Sequence, residues 1–209
     1  MSDDDGNMND LIKFCMVDIE TTGLSAEEDV PLEIGLMLID IEGNEYGSIS
    51  MVVAEDTEHY RKAMDRMDAN DGFVRDMHTK SGLLADIAAG LGGTEGPRIS
   101  PASRAEADSV CVSWLQSRHI KAFTLPMFGN SIGSLDRPFC IRHFPKLHAF
   151  LHYRNVDMSS FKEVLRHHDP DEFAKHKDLL DGKSNAKHRV YDDLEACRTE
   201  FKTYLRYFL

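Results

Sequence analysis

Three apolar stretches follow one another closely near the start of the chain. LIKFCMV (11–17) runs into Asp18; after the polar loop TTGLSAEEDVP come LEIGLMLID (32–40) and, past the turn EGNEYG, SISMVVA (48–54). Short apolar runs bounded by turn residues read as strands, and Gly43-Asn44 and Gly47 punctuate the reversals, so the pattern predicts a three-stranded meander. Beyond residue 100 the period changes. SRAEADSVCVSWLQSRH (103–119) repeats its apolar residues at helical spacing, with Ser103 placed to cap the helix and Glu106 to complete a capping box. TLPMFGN then predicts a strand ending in a turn, RPFCIRHFPKLHAFL a helix broken near Pro145, YRNVDM a short strand and SFKEVLRHH a helix. DDLEACRTEFKTYLRYFL predicts a terminal amphipathic helix, with acids at its positive end and basic residues towards its close. A Gly/Pro-rich stretch from Gly90 to Pro101 is expected to be an exposed loop. A meander followed by alternating helices and strands implies an α/β fold, a mixed sheet covered by helices.

Length and charge narrow the picture. At 209 residues the chain is expected to form one domain over 11–209, behind a flexible acidic N-terminus at 1–10. Its first residues are acidic where a secretory signal would be basic then hydrophobic, and no apolar run reaches the roughly 18 to 20 residues of a membrane span. Cys15, Cys111, Cys140 and Cys197 stand singly in apolar stretches, which fits buried, reduced thiols in a cytoplasmic protein. The net charge of -12 opposes binding to long nucleic acid. Any nucleic-acid substrate is therefore expected to be short, or held by metal.

Candidate chemistry lies at the ends of the apolar segments. Asp18 and Glu20 are two apart, so on a strand both face one way and can serve one metal ion. A solvated strand end is the plainer explanation, but the strand reads as central, where an unpaired carboxylate is costly. Asp136 opens a helix after the turn that follows TLPMFGN, and helix capping is its alternative role. His188 precedes the terminal helix and Asp193 lies on it; a surface histidine and a dipole-complementing acid are the competing readings. Taken together, hard oxygen ligands suit Mg²⁺ or Mn²⁺, and two such ions support in-line phosphodiester hydrolysis. An imidazole, ordinarily titrating near pH 6.5, suits the removal of a proton from water. The other histidines, His143, His148, His152, His167, His168 and His176, lack compact ligand spacing, and Trp114 fits a core helix.

The order of these residues carries a resemblance. VDIETTGL (17–24), PLEIG (31–35), HTKSGL (78–83), FGNSIG (128–133), FPKLHAFLHYRNVDMSSFKEVLR (144–166) and KHRVYDDLEA (187–196) resemble the DEDDh 3'-to-5' exonucleases, and within them the oligoribonucleases. The resemblance implies a ribonuclease-H-like sheet and release of nucleoside 5'-monophosphates from the 3' end of very short RNA, notably dinucleotides. It implies two divalent ions held by Asp18, Glu20, Asp136 and Asp193, with His188 as general base. Leu24 would wedge between bases and His78 stack near the substrate; Ser131, Arg154 and Ser159 would hold the terminal 5' phosphate. Tyr153 would reach the neighbouring site of a homodimer. The chain departs from the family pattern at Thr21, where Met is usual, at Leu135, an extra residue before Asp136, at Val190 in place of Ala, and in a longer tract at 167–187. A 3'-to-5' exonuclease acting on longer single strands, and an inactive nucleotide- or protein-binding relic, are the alternative functions.

Overall fold

The computed structural model describes residues 8–67, 72–90, 102–175, 177 and 188–208. After one helical turn, α1 (Met8–Leu11), the predicted meander forms from β1 (Phe14–Thr21), β2 (Pro31–Ile39) and β3 (Glu45–Val52), paired antiparallel. Two further strands, β4 (Pro126–Gly129) and β5 (His152–Asp157), add in parallel on the other side of β1. The order β3-β2-β1-β4-β5 makes β1 the central strand of a mixed sheet. All nine residues of β2 are buried, which is why its sequence runs apolar without alternation.

Alternation along β1 sorts the two faces. Cys15, Val17 and Ile19 point into a core made with α5 (Arg104–Ser117), α6 (Asp136–His143) and α7 (Pro145–Phe150). The capping box of α5 is present: the Ser103 hydroxyl accepts from the Glu106 amide, and the Glu106 carboxylate accepts from the Ser103 amide at 2.8 Å. Met16 points the other way, into a second core with α8 (Met158–His168), α9 (Pro170–Lys175) and the terminal helix α10 (Val190–Phe208). There Phe128 packs against Phe14 and Phe201, with ring centroids 5.3 and 4.9 Å apart. By the same two-residue period, Asp18 and Glu20 belong to the face covered by α10.

A third cluster lies beside β2 and β3 under α2 (Glu58–Arg66), α3 (Phe73–Lys80) and α4 (Leu83–Ala88), helices that the apolar pattern left unassigned. The break expected near Pro145 separates α6 from α7, with Pro145 opening α7. All four cysteines are buried and free. Trp114 is half-buried against the first core, with the Arg118 guanidinium 4.0 Å above its ring. No helix among the described residues is long and apolar enough to cross a membrane. The first seven residues of the expected flexible terminus, residues 91–101 of the expected loop, and His176 lie outside the described residues.

Candidate active site

The sheet and two helices bring the sequence-predicted acids together. Asp18 and Glu20 come from β1, Asp193 from the first turn of α10, and Asp136 is the first residue of α6. The first turn of helix α10 can lie close because β2 offers no side chain at Gly35. A Cβ on Gly35 would stand 2.9 Å from Val190 Cγ2 and 3.0 Å from Leu194 Cδ1. The Glu20 and Asp193 carboxyls face each other closely enough that a proton on one could be shared with the other. Glu20, Asp193 and His188 each offer a ligand atom, and these lie within 4.8 Å of one another.

Asp136 does not cap its helix. Leu135 holds the cap position, without a side-chain cap bond, and the backbone amides of Ile19 and of Asp136 itself lie near enough to the Asp136 carboxylate to favour its charge. The turn before it absorbs the extra residue. Ser131 sits at φ +53°, and its carbonyl accepts from the amides of Ser134 and Leu135 at 3.0 and 2.9 Å, while the Leu135 side chain packs on the first core. Arg137 then ties α6 to β5, donating to Asn155 Oδ1 at 2.7 Å and to the His152 carbonyl at 2.9 Å.

Electrostatics mark the cluster as a cation site. Burial, reinforced by mutual repulsion, pushes the Asp18 and Glu20 carboxyls well above the usual carboxylate range. Burial does the same to Asp136, against the pull of its two amides, and lifts Asp193 to about 6. Asp136 Oδ1 and Asp193 Oδ1 are buried without a hydrogen-bond partner. Buried carboxylate oxygens without a partner are costly unless protonated or matched by a cation, so this donor set fits divalent metal.

Beside the acids is a cavity of about 300 Å³ lined by Asp18, Asp193, Asn130, Ser131, Ser159 and Lys162, among others. Two of the predicted phosphate ligands meet here: Ser131 and Ser159 hydroxyls are 3.2 Å apart, and the Ser131 amide donates to Ser159 Oγ at 2.9 Å. Asp157, which sequence reasoning passed over, organises both. Its Oδ1 accepts the amides of Ser131 and Ser159 at 3.1 and 3.0 Å, and its Oδ2 accepts that of Gly133 at 3.3 Å. Lys162 was also missed; it lines the cavity while pairing with the buried Glu200 at 3.4 Å. An i+3 offset from Ser159 on a helix was the signal available for it.

The remaining predicted residues do not line this cavity. Leu24 stands 83% exposed on the loop after β1, and Tyr153 is 71% exposed on β5 with the Arg154 guanidinium 5.6 Å above its ring. His78, expected beside the substrate, is instead fully buried behind Glu20. Its Nε2 donates to the Thr21 carbonyl at 2.9 Å, and its Nδ1 lies 3.9 Å from Glu20 Oε2. A ring with no open face backs Glu20 and offers no stacking surface in this arrangement. Burial lowers its pKa, which keeps the ring neutral.

Comparison with known proteins places this geometry in context. No family model matches the chain. It is 32% identical over 200 residues to the oligoribonuclease of Paracidovorax citrulli, covering 95% of this chain and 90% of that protein. The oligoribonuclease of Thiobacillus denitrificans is 33% identical over 194 residues, 92% of this chain and 93% of its own. That of Leifsonia xyli subsp. xyli is 37% identical over 155 residues, 74% and 66% of the two chains. Among solved structures, a zinc-bound E. coli exonuclease I in complex with single-stranded DNA superposes with a TM-score of 0.57 at 15% identity, over 93% of this chain. Exonuclease I from Methylocaldum szegediense gives 0.53 at 12%, over 88%. This chain spans about 40% of those longer exonuclease chains, and the likeness is one of fold. With the oligoribonucleases matching along nearly its whole length and Glu20 and Asp193 meeting His188, the chain belongs to the oligoribonuclease family, 3'-to-5' exoribonucleases on a ribonuclease-H-like sheet.

Proposed function

We propose that the protein releases nucleoside 5'-monophosphates from the 3' end of short oligoribonucleotides, dinucleotides above all, with two ions of Mg²⁺ or Mn²⁺ held by Asp18, Glu20, Asp136 and Asp193. The observation that carries this reading is the meeting of Glu20, Asp193 and His188 within 4.8 Å, beside a cavity whose lining includes Ser131 and Ser159. Paired hard cations stabilise the attacking and leaving oxygens of an in-line displacement and lower the pKa of water. The residues of the chain bind, orient and move the proton. His188, exposed at the edge of the acid cluster, takes the proton of the attacking water on its imidazole.

The paired hydroxyls of Ser131 and Ser159 receive the terminal 5' phosphate, with Lys162 supplying positive charge from the same wall and Arg154 approaching from β5. Hydroxyls that hold a terminal phosphate favour the shortest substrates, and a net charge of -12 is tolerable for a substrate with few phosphates. Leu24, exposed on its loop, is suited to wedge between the two bases, and exposed Tyr153 to reach the other subunit of a homodimer. Free, buried cysteines support a cytoplasmic setting. Cleavage rates on a labelled diribonucleotide and on a strand of about twenty nucleotides test the length preference. A kcat/KM favouring the two-mer is expected, and equal values would transfer the reading to a general single-strand exonuclease.

A further inference from the structure

His188 holds its backbone at φ +53°, in the left-handed region. A residue with a side chain keeps that conformation only where its surroundings impose it. The next residue, Arg189, is 7% exposed and spends its whole guanidinium on two distant carboxylates. Nε and Nη2 donate to Glu33 Oε2 and Oε1 at 3.0 and 2.9 Å, and Nη1 donates to Asp86 Oδ2 at 2.8 Å. Glu33 also accepts the Val190 amide at 3.3 Å, so one carboxylate grips both the side chain and the backbone of the segment. Its own place is fixed, because Glu33 lies opposite Glu20 in the β1–β2 ladder.

From this geometry we infer that Arg189 is a positioning residue, which sets the backbone that aims the His188 imidazole at the acid cluster. The inference rests on His188 acting as general base. A planar guanidinium gripping one carboxylate with two donors and another with a third leaves the segment little freedom to rotate, which a lysine ammonium could not enforce. The action falls first on His188, while the Arg189 carbonyl also accepts the Asp193 amide at 3.0 Å. Asp193 lies within α10, where Val190 and Leu194 pack on Gly35, whereas His188 precedes the helix and inherits its orientation through Arg189. Asp86 extends the same hold to α4, so the helical arm that buries His78 behind Glu20 is fastened to the segment that carries His188.

The test removes the two buried charges together, leaving only the half-exposed Asp86 without its partner: Arg189→Met with Glu33→Met. Turnover of a labelled diribonucleotide with Mn²⁺ is followed alongside thermal melting, and Arg189→Lys serves as a second variant that keeps the charge. A cooperative melt is expected for both. For the double variant kcat is expected to fall on the order of 100-fold, the scale of a misplacement of about 1 Å, with KM within about twofold of wild type. Arg189→Lys is expected to fall between the two. In a His188→Ala background the same substitutions are expected to cause no further loss, because the residue they act through is gone. Wild-type kcat in the charge-free variant, or a loss that persists undiminished without His188, would overturn the inference. Wild-type activity in His188→Ala alone would instead overturn the base assignment beneath it.

Discussion

Gly35 lies directly beneath Val190, with room for a hydrogen and not for a methyl group: an added Cβ would stand 2.9 Å from Val190 Cγ2. Gly35→Ala is therefore expected to lift the first turn of α10, the turn that carries Asp193, destabilising the fold by about 1 to 3 kcal/mol. Adding Val190→Ala removes the shortest of these contacts and leaves the Val190 Cβ and Leu194 Cδ1 at 3.0 Å, so it relieves the crowding in part. The double variant is expected to melt higher and turn over faster than Gly35→Ala alone, and a double variant no better than the single would refute the close-approach account.

Asp157 gathers three backbone amides and, through them, the two hydroxyls at the cavity wall. In Asp157→Ala those amides lose a charged acceptor, a loss of about 1.5 to 3 kcal/mol per bond at most. The Ser159 bond among the three is the N-cap of α8, whose loss alone is worth about 1 kcal/mol. The expected result is a rise of about tenfold or more in KM for a 5'-phosphorylated diribonucleotide, with a smaller change for the same dinucleotide lacking that phosphate. Steady-state kinetics on the pair checks it; equal effects on both would remove Asp157 from phosphate recognition.

These two contacts mark where sequence patterns stop being informative. The strands, the α5 capping box and the terminal helix were readable because each depends on neighbours a few residues apart, as Ser103 and Glu106 are. Glu20, His188 and Asp193, which the structure brings together, were readable only as members of an ordered set of five positions. Helices α3 and α4 were not, because they begin after Gly72 and Gly82 at positive φ, with no side-chain cap to announce them. The Arg189–Glu33 pair joins residues 156 apart, and local sequence carries no trace of it. The burial of His78 likewise depends on a third cluster assembled from β2, β3 and the helical arm.

Stability of the metal-free protein should report the strained acids. Burial lifts Asp193 to about 6, so the folded state holds a proton that the unfolded chain releases near pH 4, and its contribution falls as pH rises through that window. His143, held down at about 4 by burial, works oppositely, adding stability as pH climbs from about 4 to 6.5. Comparing wild type with Asp193→Asn cancels the histidine. In chelator, the asparagine variant is expected to gain in melting temperature relative to wild type between pH 4 and pH 7, by calorimetry. With saturating Mn²⁺ that advantage should reverse, since only wild type keeps its full ligand set. A difference that stays constant with pH would contradict the elevated carboxyl.

Tyr153 on β5 and Phe161 and Val164 on α8 are large exposed residues. If Tyr153 serves a neighbouring site, light scattering should give about twice the 23.7 kDa chain mass, and Tyr153→Ala should lower activity while leaving the acid cluster able to bind Mn²⁺. A monomer at working concentration with wild-type turnover in Tyr153→Ala would rule that role out.

The four carboxylates and His188 are proposed to form one hydrolytic site for the 3' end of short RNA. Its most direct test is release of nucleoside 5'-monophosphate from a labelled diribonucleotide with Mn²⁺, by wild type and by Asp193→Asn. Wild type is expected to release monophosphate, and the variant to lose at least about 100-fold in kcat while melting as a folded protein. No release by wild type at any metal concentration, or full activity in Asp193→Asn, would contradict the account.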